Sequence, residues 1–208
     1  MSADRLLVDG PEAAPRTLAL AHGAGAPMDS PFMETIAHGV AQAGIRVVRF
    51  EFAYMRSRRD GGKRRPPDRE PTLRKAWREL AESIGEPGRL VIGGKSLGGR
   101  IASLVADELG VLGVVCLGFP FHPPGRPERL RDALFSIRSP TLVVQGTRDR
   151  LGTRQEVEAY PLAPSVRVVW SEDGDHSLKP RVRSGRTEAQ NLDEAVRVVA
   201  AFVNELGR

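Results

Sequence analysis

Short apolar runs alternate along the chain with stretches in which apolar residues recur at steps of three and four. The runs Arg5-Leu6-Leu7-Val8, Thr17 to Ala21, Ile45 to Phe50, Arg89 to Ile92, Val111 to Leu117, Thr141 to Gln145 and Val166 to Trp170 are predicted as strands. Between them, helical spacing sets Phe32, Ile36, Ala37 and Val40 on one side of residues 31–43. It sets Leu73, Trp77, Leu80 and Ala81 on one side of residues 71–84, and Leu97, Ile101, Leu104, Val105 and Leu109 on one side of residues 97–109. Shorter helices are predicted at 129–135 and 154–160. A final one, at 187–206, carries Leu192, Val196, Val199, Val203 and Leu206 in one stripe. Strands this apolar, separated by helices, predict a mostly parallel sheet of about seven strands covered on both faces.

Two junctions fall outside both periods. In Gly93-Gly94-Lys95-Ser96-Leu97-Gly98-Gly99 a strand runs straight into a helix with a serine at the corner, in the pattern G-x-S-x-G. Side chains two before and two after a serine so placed would collide with facing backbone, and both positions are glycine. Gly-Lys-Ser also ends a phosphate-binding P-loop, but the glycine that motif needs five positions before Gly94 is Arg89, and the intervening residues read as strand. The second junction, His22-Gly23-Ala24-Gly25-Ala26-Pro27, ends a strand in a tight loop whose backbone N–H groups are uncrowded, which suits an oxyanion. A simple strand-to-helix turn accounts for it equally.

A chain of 208 residues with 40% hydrophobic and 27% charged residues suits one soluble domain spanning residues 1–208. No run is long enough to span a bilayer and the N-terminus lacks a signal-peptide pattern, so a cytoplasmic protein is expected. The single Cys116, in an apolar run, excludes internal disulfides and thiolate metal clusters. No ligand pair shows metal-binding spacing, and no metal or other cofactor is implied. The formal charge is +5, and Arg56, Arg58, Arg59, Lys63, Arg64 and Arg65 against Asp60 account for it. One basic loop on an otherwise neutral chain, without interleaved aromatics, reads as a solvated excursion or a rim favouring acidic substrates rather than a nucleic-acid surface.

Open α/β sheets carry their sites beyond the carboxyl ends of the strands, which selects His22 to Gly25, Ser96, Asp149 and His176. Asp149 follows Ser96 by 53 residues and His176 follows Asp149 by 27, giving the chain order Ser, Asp, His. A serine hydroxyl needs a base to take its proton, and the base needs a partner that fixes its tautomer. Ser96, His176 and Asp149 are the candidates for these three roles. On these residues, with Gly146-Thr147-Arg148-Asp149 and Gly174-Asp175-His176, the chain resembles the small, lid-poor α/β hydrolases called dienelactone-hydrolase-like.

The resemblance implies an α/β-hydrolase fold with minimal or no cap, in keeping with the short stretch between the strands at 141–145 and 166–170. It also implies an oxyanion hole made by the backbone N–H groups of Leu97 and Ala24. Dienelactone hydrolases proper carry a cysteine where this chain has Ser96, so their substrate does not carry over. The activity implied is hydrolysis of a small carboxylic ester, thioester or lactone through an acyl-enzyme. By position after strands, Met28, Phe32, Phe52, Tyr54 and Phe121 are candidates for the acyl pocket.

Each residue has a plainer alternative. Ser96 could cap a helix, Asp149 could pair with Arg148 or Arg150, and His176 could be an ordinary loop histidine, with Asp173 and Asp175 as rival partners for it. His22 suits a loop-orienting hydrogen-bonder better than a base, and Lys95 and Arg100 suit structural roles better than an anion site. Eukaryotic relatives of the group include a subunit of a chromatin-modifying complex, so an interaction scaffold without turnover is the alternative function. Substrate identity and oligomeric state are not encoded in these patterns.

Overall fold

A computed structural model describes residues 6–207. Seven strands, β1 (Leu7–Asp9), β2 (Thr17–Ala21), β3 (Arg46–Phe50), β4 (Leu90–Lys95), β5 (Gly113–Leu117), β6 (Thr141–Gly146) and β7 (Val166–Ser171), form one sheet in the order β1-β3-β2-β4-β5-β6-β7. All neighbours pair in parallel except β1, which runs antiparallel to β3 at the edge. Arg5 lies outside the described residues, and the strand predicted there runs from Leu7 to Asp9.

The period-two alternation inside β2 divides the two faces. Leu18 and Leu20 pack with α1 (Pro31–Ala41) and α7 (Glu188–Glu205) through Ile36, Val40, Leu192 and Val199. Ala19 and Ala21 face the other way, toward α3 (Glu70–Ile84), α4 (Leu97–Ser103) and α5 (Ala106–Leu109), with Trp77, Ile101, Val105 and Ala106 in the same cluster. α2 (Ala53–Arg59) and α6 (Arg154–Val157) join that second face through Met55 and Val157. Burial on both faces is what the unbroken apolar runs required. No helix is long and apolar enough to cross a membrane among the described residues.

Four elements differ from expectation. The helix predicted over 97–109 is two helices, interrupted at Leu104 and Val105. Part of the basic loop is helical, because Tyr54 and Met55 anchor α2 in the core while Arg59 pairs with Glu51 and Asp29. The helix predicted at 129–135 is one 3₁₀ turn, Asp132–Leu134. α6 ends at Val157 rather than Tyr160 and is fixed at its start by a capping box between Thr153 and Glu156. Ser30 precedes Pro31 at the start of α1, but its hydroxyl makes no capping bond.

Candidate active site

The sharp turn from β4 into α4 holds Ser96 at φ 50° and ψ −109°, a left-handed conformation rare for a residue with a side chain. The turn survives because it is packed from below. A Cβ on Gly94, whose φ is +150°, would stand 2.0 Å from the Ala21 carbonyl oxygen, and one on Gly98 would stand 2.3 Å from the same atom. The two glycines of the motif let the elbow rest on the end of β2, and the Ser96 N–H donates to the Leu117 carbonyl at 3.0 Å. Ser96 remains partly exposed above them.

His176 and Asp149 reach the same point from the ends of β7 and β6. The His176 Nε2 lies 2.8 Å from Ser96 Oγ, and its Nδ1 lies 2.7 Å from Asp149 Oδ2. An Nδ1–H donating to the carboxylate leaves the Nε2 lone pair facing the hydroxyl. Asp149 is fully buried, and its carboxylate is satisfied on both oxygens: the Leu151 N–H donates to Oδ1 at 2.9 Å and the Gln145 amide donates to Oδ2 at 2.9 Å. Gln145, at the end of β6, is itself buried and held by the Phe119 N–H, which donates to its Oε1 at 2.7 Å. The sequence reading passed over it. Its signal was a lone amide closing an otherwise apolar strand.

The loops that carry the two partners are packed together. The Arg148 N–H donates to the Gly174 carbonyl at 2.9 Å, and a Cβ on Gly146 would stand 2.3 Å from the Asp175 carbonyl. Hydrogen bonds from Arg181, with the nearby charge of Arg148 in support, hold the Asp173 carboxyl down to about 2, and Asp175 accepts from the Ser177 and Lys179 N–H groups. Neither rival carboxylate bonds to the His176 ring. Asp149 pairs with neither Arg148 nor Arg150.

Lys95 precedes the serine, and its ammonium crosses under the site to donate to the His176 carbonyl oxygen. It also lies 5.4 Å from the centre of the Phe32 ring. Burial lowers Lys95 to about 8, against the opposing pull of Asp149 and Asp175. Gly118, at φ +66°, makes room: a Cβ there would meet the His176 carbonyl at 2.6 Å and the Lys95 ammonium at 2.9 Å.

The loop from His22 to Gly25 lines the other side, for a Cβ on Gly23 would lie 3.8 Å from Ser96 Cβ. His22 is fully buried; its Nδ1–H donates to the Gly23 carbonyl at 2.6 Å while its Nε2 accepts from the Phe52 N–H at 3.1 Å. Burial lowers its pKa, which preserves the neutral ring that this pair of bonds requires. The Tyr54 hydroxyl lies 3.3 Å from the Gly23 carbonyl oxygen and 3.2 Å from that of Ala24, within donating reach of both. In a trans peptide C=O and N–H point in opposite directions, so the Ala24 N–H is turned away from Tyr54. Leu97 begins α4, and its N–H is one of the helix's unclaimed N-terminal donors.

Most of the acyl-pocket candidates stand elsewhere. Phe52 is fully buried in a cluster with Phe50, His22 and Tyr54, and Phe121 is fully buried against Phe119 and Tyr160, so neither offers surface to a substrate. Tyr54 braces the Gly23–Ala24 turn instead, and Met28 is buried with its backbone tied to Glu51 and Arg49. Only Phe32 keeps exposed area beside the site. Position after a strand selects the right end of the sheet, but not which face of the loop a ring will take. Arg100 is engaged by Glu70, and His122 and Cys116 are buried. Ser96 lines none of the cavities of about 260, 320 and 340 Å³.

Residues 14–204 match the model of a family described as an alpha/beta hydrolase domain. Several solved structures share the fold. A dienelactone hydrolase from Anabaena variabilis is 21% identical over 98% of this chain and 92% of its own, with a TM-score of 0.74. A serine hydrolase without lid from Xanthomonas campestris is 21% identical over 98% and 89%, with a TM-score of 0.69. The esterase domain of a Rhodothermus marinus protein is 18% identical over 96% and 91%, also at 0.69.

Proposed function

Because the chain belongs to the alpha/beta hydrolase domain family, we propose that it is a serine hydrolase that cleaves a carboxylic ester, thioester or lactone through an acyl-enzyme. The observation that carries this reading is the continuous path of hydrogen bonds from Ser96 through His176 to Asp149, at 2.8 and 2.7 Å. The Ser96 Oγ attacks the carbonyl carbon as its proton passes to His176 Nε2. Asp149 holds the Nδ1–H and stabilises the imidazolium, and Gln145 holds Asp149. Negative charge gathering on the carbonyl oxygen is met by the N–H groups of Leu97 and Ala24, each such donor contributing about 3 kcal/mol of barrier lowering. His176 then gives its proton to the departing alkoxide or thiolate. Water, deprotonated by the same nitrogen, splits the acyl-enzyme and restores the serine.

The names of the similar structures, an esterase domain, a dienelactone hydrolase and a serine hydrolase without lid, are in keeping with this chemistry. The test is covalent labelling. A fluorophosphonate is expected to leave one adduct on Ser96, located by mass spectrometry of the digested protein, and His176→Ala is expected to abolish it. Folded protein that takes no label would overturn the reading in favour of a non-catalytic scaffold.

A further inference from the structure

The sheet topology sorts the charges of the chain. Strands of a parallel sheet end on the same edge, so the segments after β2, β3, β5, β6 and β7, residues 22–30, 51–69, 118–131, 147–153 and 172–186, gather around Ser96. These segments hold sixteen Lys and Arg against nine Asp and Glu, whereas the rest of the chain holds fifteen against seventeen. The end of the molecule that carries the site is therefore at +7 and the remainder at −2.

Ion pairing divides the cations at this end, and two of them, Lys179 and Arg186, are met by Glu188 and Glu194 of α7. The carboxylates at this end are largely engaged: Asp29 and Glu51 by Arg59, Asp68 by Arg65, Asp149 by His176, and Asp173 by Arg148 and Arg181. Arg56, Arg58, Lys63, Arg64, Arg126 and Arg129 form no salt bridge among the described residues. Arg58 is the one tied to the site, since its guanidinium lies 3.4 Å from the Gly25 carbonyl oxygen. It is exposed there, at the rim of a cavity of about 340 Å³ that it shares with Pro27, Met55 and the Asp29–Arg59 ion pair, whose carboxylate Arg59 already holds.

We propose that the substrate is an anionic ester, with a carboxylate carried on the part that projects from the scissile carbonyl past Gly25 toward Arg58. This deepens the serine-hydrolase reading and rests on it. The uncompensated field draws such a substrate to the sheet end, and the planar fork of Arg58 receives its carboxylate in two parallel hydrogen bonds.

Two esters with the same leaving group separate the possibilities: 4-nitrophenyl monoadipate, which ends in a carboxylate, and 4-nitrophenyl methyl adipate, in which that group is masked. At low ionic strength the monoadipate is expected to show a kcat/KM roughly tenfold higher. Most of that advantage is expected to vanish between about 20 mM and about 500 mM salt, as the screening length shrinks to a few ångströms. Arg58→Gln is expected to lower kcat/KM for the monoadipate by several-fold more than for the methyl ester. Equal rates for the two esters at every salt concentration, or an equal loss for both in Arg58→Gln, would overturn the inference while leaving the hydrolase reading intact. If neither ester is cleaved and Ser96 also resists the fluorophosphonate, the hydrolase reading fails and this inference falls with it.

Discussion

Lys95 sits beside the serine in sequence, yet its side chain ends on the backbone of the histidine 81 residues away. It fastens the loop bearing His176 to the strand bearing Ser96, so its part is that of a positioning residue. Burial has brought it from 10.5 to about 8, meaning that between these values the unfolded chain keeps a proton that the folded one has released. Stability attributable to this group therefore rises with pH through that window, and at pH 7 the fold carries the cost of a buried ammonium. Lys95→Met is expected to raise the melting temperature at pH 7 while lowering kcat/KM by about tenfold or more, because a small displacement of the base is costly in rate. The wild type should show a falling limb of kcat/KM near pH 8, which the variant lacks; a limb that persists would show that another group titrates there. Ser96, Asp149 and His176 were legible in the sequence as candidates because each lies within a few residues of the carboxyl end of an apolar run. Gln145 and the bracing role of Tyr54 were not, since their partners are backbone and side-chain groups brought near only by the sheet.

At the scale of elements, α1 and α7 meet where α1 has no side chain. A Cβ on Gly39 would stand 2.7 and 2.8 Å from the two methyl carbons of Val196. Alanine improves helix propensity by about 1 kcal/mol over glycine, but overpacking a well-filled contact costs about 1–3 kcal/mol, so the clash is expected to win. Gly39→Ala should lower stability by about 1 kcal/mol in urea denaturation, and adding Val196→Ala should recover part of that loss; two independent, additive effects would count against the contact. Sequence patterns located all seven strands within a few residues: burial on both faces gives the inner strands an apolar run that little else imitates, while the edge strands β1 and β7 are only partly buried and stand out as short runs bounded by turn residues. The break at Leu104 was hidden for a related reason: Ile101, Ala102, Val105 and Ala106 face one cluster on both sides of it, so the helical period continues across the interruption. α2 was hidden by its arginines, which outnumber the two residues that anchor it.

On the scale of the whole molecule, the polarity of charge belongs to topology rather than to any stretch of sequence. Residues 51–69 stand out as basic when read in line, but residues 118–131 and 147–153 join them only when the strands end on one edge. After β6 that same edge carries no inserted helical layer, for residues 147–153 pass directly to α6, and the one α-helix in the segments gathered there, α2, is anchored in the core by Tyr54 and Met55. With nothing to swing aside before a substrate arrives, progress curves should start without a lag. The velocity should also climb smoothly as a sparingly soluble ester passes from dissolved molecules to droplets, whereas an abrupt jump at that boundary would betray a hidden gate.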